Sequence, residues 1–113
     1  MAPKLAYVIE FVADMDRAVK FYRDVVGFPL KFQSPGWSEF STGETTLALH
    51  PASDKNPAGK IDLGFNVSDL QKFYEEMQAK GVKFTMPPTK QDFGNTLAQF
   101  VDSEGAHPSV GGA

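Results

Sequence analysis

The sequence predicts an α+β fold: two βαβββ modules that form a curved mixed sheet around a cleft. Three observations predict it. Alternating apolar residues give way to helical spacing near residue 14, the same change recurs near residue 68, and the two segments share VADM and VSDL, a Phe-Tyr pair and a glycine at matching stations. The duplication has a period of about 55 residues, and two copies are too few for a solenoid. At 113 residues the chain is expected to make one domain, with module one at 1–51, a linker at 52–59 and module two at 60–113.

Each element has its own signal. In Lys4 to Val12, Leu5, Tyr7, Ile9 and Phe11 alternate with Ala6, Val8, Glu10 and Val12, which predicts a strand near 4–12 covered on both faces. Met15, Ala18, Phe21, Tyr22, Val25 and Val26 then fall at helical spacing behind Asp14, a suitable N-cap, so a helix near 14–26 is expected to end at Gly27. Runs of β-formers near 28–33, 37–42 and 45–50, broken by Ser34-Pro35-Gly36 and Thr42-Gly43-Glu44, read as an antiparallel meander. Pro51 to Gly59 is polar and suits a surface connection.

The first pattern then returns as a strand near 60–67 and a helix near 68–80. Ser68 to Gln71 reads as its capping box, Leu70, Phe73, Tyr74 and Met77 share one face, and Gly81 stops it. Strands near 82–86, 95–101 and 107–111 complete the second module. A helix covers only one face of its sheet, so the remaining faces are expected to curl around a cleft of the kind that binds small molecules.

Composition excludes several function classes. The chain has no cysteine, so disulfides, thiolate nucleophiles and zinc–sulfur sites are ruled out. Eleven Lys and Arg against fourteen Asp and Glu give a net charge of -3 with no basic block, which speaks against nucleic acid as a partner. No apolar run is long enough for a membrane span, and Glu10 and Asp14 interrupt the start before a signal peptide could form, so a cytoplasmic location is expected.

VADMDRAVKFYRDVVGFPL, GETTLALH, the second V-S-D-L helix and FVDSEGAHPSV together resemble the glyoxalase/bleomycin-resistance/extradiol-dioxygenase superfamily, the vicinal oxygen chelate proteins, over essentially the whole chain. The resemblance implies the fold but little about the chemistry, because members include metal-dependent lyases, isomerases, dioxygenases and thiol transferases as well as metal-free drug-binding proteins. Metal-dependent members carry ligands on the first and last strand of each half. By that resemblance the positions fall on Tyr7, Ala48, Asp62 and Ser109, of which Asp62 alone is a good divalent-metal ligand.

Other residues are weighed against plainer roles. In the family register His50 shares a strand face with Ala48, and is either a rim residue bonded to backbone or a general base. The same family register implies that Glu10 turns toward the helix layer, where Arg17 or Lys20 would pair it; a bulge would carry it into the cleft as a carboxylate base. Trp37 and Phe93 are placed to close over a flat or apolar ligand, whereas Phe21, Phe65, Phe73 and Phe84 read as core. Asp102-Ser103-Glu104-Gly105 reads as a turn, and His107 as solvent-exposed.

The expectation is a metal-free, cofactor-free protein that binds a small, possibly aromatic molecule and forms a homodimer. Its ligand residues would be Tyr7, Ile9, Phe11, Trp37, His50, Asp62, Phe93 and Ser109, with His50 and Glu10 the catalytic candidates. The alternative is a divalent-metal lyase, isomerase or dioxygenase with a non-standard ligand set drawn from His50, Asp62, Glu10 and Tyr7. A structural subunit whose own side chains fill the cleft is a third reading.

Overall fold

The alternation in the first segment produces a nine-residue strand, β1 (Lys4–Val12), and the change to helical spacing produces α1 (Met15–Lys20). The computed structural model describes residues 2–92 and 94–113. After α1 come a π-helical turn (Phe21–Val26), β2 (Leu30–Gln33), β3 (Ser38–Ser41), β4 (Thr46–Pro51), β5 (Ile61–Val67), α2 (Leu70–Ala79), β6 (Phe84–Lys90), β7 (Thr96–Phe100) and β8 (Ser109–Gly112). The fold is α+β and its strand pairing is mixed.

The chain divides into two compact units. The N-terminal unit is Ala6–Ile61, with strand order β2-β3-β4-β1. The meander β2-β3-β4 is antiparallel, and β1 lies parallel to β4 in unbroken register from Tyr7 opposite Thr46 to Val12 opposite Pro51. Val12, Val19, Phe40 and Leu49 form its core, with Met15, Ala18 and Tyr22 packed against them. Burying a valine or leucine here stabilises the unit by about 1.5–3 kcal/mol.

Two features of this helix depart from expectation. Phe21 is not core: it, Val25 and Val26 are 51%, 74% and 47% exposed. Phe21 stands at the start of the wide turn and falls off the helix face that Met15, Ala18, Val19 and Tyr22 share at ordinary helical spacing. Val26, four residues after Tyr22, is displaced from that face by the π turn, in which the backbone N–H groups of Gly27 and Phe28 both donate to the Tyr22 carbonyl at 3.0 Å, and Phe28 meets the core instead. Gly27 ends the segment with φ 96°, a left-handed conformation suited to glycine.

The second unit contains Asp62–Ala113 together with the start of the chain up to Leu5. Its strand order is β5-β8-β7-β6, with β5 parallel to β8 and the other pairs antiparallel. Leu70, Ala98 and Val110 are its buried centre, ringed by Phe65, Val67, Phe73, Phe84 and Phe100.

The N-cap of α2 is Asp69, whose side chain accepts from the Lys72 N–H at 3.1 Å, and not Ser68. Asp14 does the same for α1 through the Arg17 N–H at 3.1 Å, so the duplicated aspartate performs the duplicated task. β6 runs through Pro87 and Pro88 to Lys90, beyond the expected end at residue 86. It closes the strand order of its unit, and an unpaired edge tolerates missing N–H donors.

Candidate functional site

The N-terminal unit has two sheet faces of different character. Toward α1 point Val12, Phe40 and Leu49, which form the core. The opposite face is set by β1 and β4 in register, with Tyr7, Ile9 and Phe11 beside Thr46, Ala48 and His50. On β3, Glu39 lies opposite Ala48 and therefore belongs to this second face.

Trp37 is carried onto the same face by the Ser34-Pro35-Gly36 turn. The Ser34 N–H donates to the Trp37 carbonyl at 3.0 Å, the Ser34 hydroxyl donates to that carbonyl at 2.7 Å, and the Trp37 N–H donates back to Ser34 Oγ at 3.1 Å. The indole then stands edge-on to Tyr7, with centroids 5.9 Å apart at 66°, and edge-on to His50, 6.2 Å apart at 81°. His50 in turn meets Phe11 at 5.2 Å and 61°. Tyr7, Trp37, His50 and Phe11 are thus one chain of contacting rings.

Glu39 gives the row its polar anchor. Trp37 Nε1–H donates to Glu39 Oε2 at 2.7 Å, a charge-assisted bond that fixes the indole plane. Lys31 Nζ lies 3.8 Å from Glu39 Oε1, with the lysine 58% and the glutamate 17% exposed. The Tyr7 phenol is held above its ordinary value, first by burial and then by the Glu39 charge. Glu39 was missed in reading the sequence, although Trp37 and Glu39 two apart on a strand share a face by alternation alone.

At the other end of the row, Lys60 Nζ lies 5.9 Å from the Phe11 ring centroid and donates to Asn56 Oδ1 at 2.7 Å. His50 is exposed, and its Nδ1 lies 2.8 Å from the Pro51 carbonyl oxygen. A carbonyl only accepts, so Nδ1 carries the proton and Nε2 is left as an acceptor in the neutral ring.

Glu10 does not reach this face. The register of β1 with β4 has no bulge from Tyr7 to Val12, so parity turns Glu10 to the helix side, where Tyr22 Oη–H donates to its Oε1 at 2.5 Å. Its partner is therefore a phenol and neither Arg17 nor Lys20. That bond, with burial and the carboxylate charge behind it, pushes the Tyr22 phenol up to about 12.

Two further expected ligand residues belong to the second unit. Asp62 is on β5 and Ser109 on β8 of the second unit, where Ser109 pairs with Gly64, two residues beyond Asp62. They share the sheet face opposite to Phe65 and Val67, which pack against the Leu70 cluster. Phe93 lies outside the described residues. In the acidic turn, Asp102 Oδ1 accepts from the N–H groups of Glu104 and Ala106, both at 2.9 Å, so its carboxylate is engaged in holding the turn.

The metal-ligand positions implied by the resemblance do not fit a metal in this chain. Ala48 is fully buried and offers only a methyl group, and among the described residues no three His, Asp or Glu side chains gather. Of the alternative set of His50, Asp62, Glu10 and Tyr7, Glu10 is turned away from the other N-terminal members and bonded to Tyr22.

Comparison with known proteins places this geometry in context. The chain is 28% identical to the uncharacterized protein YetH of Bacillus subtilis (strain 168), covering 93% of this chain and 94% of that protein. It is 33% identical to the uncharacterized protein YurT of the same organism, covering 90% and 93%. Among solved structures it resembles methylmalonyl-CoA epimerase from Mycobacterium tuberculosis, with TM-score 0.78, 19% identity and coverage of 96% of this chain and 87% of that one. It also resembles an NAD-dependent benzaldehyde dehydrogenase from Legionella pneumophila, with TM-score 0.76, 19% identity and coverage of 94% and 96%. At such identity, likeness to proteins named for unlike reactions establishes the fold and no chemistry. The profile of the Glyoxalase/Bleomycin resistance protein/Dioxygenase superfamily matches residues 4–107, and the chain belongs to that superfamily.

Proposed function

We propose that this protein binds a small aromatic molecule on the sheet face that carries Tyr7, Trp37, Phe11 and His50, and does so without a metal. The observation that carries the reading is the continuous row of four rings on one face, locked at Trp37 by the Ser34 turn and by Glu39. Phe11 is buried and backs the row, while the half-buried Tyr7 and Trp37 and the exposed His50 leave ring surface for a flat ligand, and a pre-fixed indole loses little rotamer freedom on binding. Ile9 adds apolar area beside Ala48. His50 Nε2 and Glu39 supply acceptors that orient the ligand.

Trp37 is the only tryptophan in the chain, so its emission reports this face and no other. Screening aromatic compounds by that emission should yield ligands whose binding survives treatment with a chelator. Failure of every aromatic class to perturb Trp37, or binding that vanishes with the chelator, would contradict the proposal.

A further inference from the structure

We propose that the corner between Trp37, Tyr7 and the Glu39 carboxylate selects an organic cation, a ligand whose alkylated ammonium group sits against the two rings. This rests on the proposed binding face and names the charge of what it takes. The two rings meet at 66° with centroids 5.9 Å apart, which presents two π-systems to one point from different directions. Electron-rich ring faces attract cations, indole most strongly, and a weakly hydrated quaternary ammonium loses little by leaving water.

Glu39 adds the full counter-charge. One of its oxygens is occupied by the indole N–H, which holds the carboxylate against the ring instead of in solvent, and its side chain is only 17% exposed. Its negative field reaches the Tyr7 oxygen, which the raised phenol reflects. The cation now nearest to Glu39 is Lys31, but a contact of 3.8 Å from a side chain 58% exposed is a weak surface pair that a ligand can displace. Lys60 stands at the Phe11 end of the row, bonded to Asn56.

The test is a titration of Trp37 emission in the intact chain at low ionic strength, using three probes of similar size: benzyltrimethylammonium, the neutral dimethylbenzylcarbinol and the anion phenylacetate. The cation should bind about tenfold more tightly than the carbinol. Glu39→Gln keeps an acceptor for the indole N–H and should remove most of that preference, lowering the affinity of the cation more than that of the carbinol. Lys31→Ala should strengthen cation binding by about two- to threefold by freeing the carboxylate. Equal affinity for cation and carbinol, or preference for phenylacetate, would overturn the charge selection while leaving the aromatic-binding proposal standing. If none of the three moved Trp37 emission, the charge selection would fall, and the aromatic-binding proposal would fall with it only if every other aromatic class also failed.

Discussion

Trp37 is held by its backbone through Ser34 and by its indole N–H through Glu39, whereas His50 is exposed and makes one hydrogen-bond contact, to the carbonyl of Pro51. That difference sets their expected weights in binding. Trp37→Ala should weaken an aromatic ligand by about 2 kcal/mol, roughly thirtyfold, because a half-buried aromatic anchor is lost. His50→Ala should cost about 1 kcal/mol, the worth of one neutral hydrogen bond. Calorimetric titration of both variants checks the order. On the other face, Tyr22 donates to Glu10 only while protonated, and its phenol rises from 10.0 to about 12 on folding. The stability from this bond is therefore full below pH 10 and is lost as the pH climbs through about 12. Phenol absorbance during an alkaline titration should show Tyr22 ionising at about 12 in addition to the raised Tyr7, and Tyr22→Phe should remove that late component alone.

At the scale of elements, the duplicated aspartates and the parallel pairing set the expected costs. Asp69→Ala removes the cap of α2 and should lower stability by about 1 kcal/mol, readable in urea unfolding. Gly112→Ala should cost more, about 1–3 kcal/mol, because a Cβ there would come within 2.4 Å of the Val67 carbonyl oxygen on the neighbouring strand. Strands and helices were legible in the sequence because the period switches cleanly between two and 3.6. The π turn was not, since a uniform helical period carries Val26, four residues after Tyr22, onto the core face and nothing in the residue types marks the wider turn. Within the candidate site, alternation gave Tyr7, Ile9 and Phe11 a common face, the family resemblance said which face it is, and the turn before Trp37 set that residue apart. Alternation puts Glu39 on the face of Trp37, but its place beside Ala48 comes from the pairing of β3 with β4. For Glu10, parity gave the direction but not the partner, which comes from a residue one helical segment away.

For the molecule as a whole, β2 ends the strand order of the N-terminal unit with Phe32 half exposed, and the same unit leaves Phe21, Val25 and Val26 in solvent. Sheet edges and apolar side chains of this kind favour association, and a two-fold dimer is expected in sedimentation at micromolar concentration, with monomer alone contradicting it. Among the described residues no helix is long and apolar enough to cross a membrane. The central claim, an aromatic face that binds without a metal, is tested most directly by calorimetric titration of one aromatic ligand into chelator-treated protein, Trp37→Ala and His50→Ala. The account predicts binding undiminished by the chelator, largely lost at Trp37→Ala and modestly weakened at His50→Ala. Binding abolished by the chelator, or by His50→Ala with Trp37→Ala nearly unaffected, would contradict it.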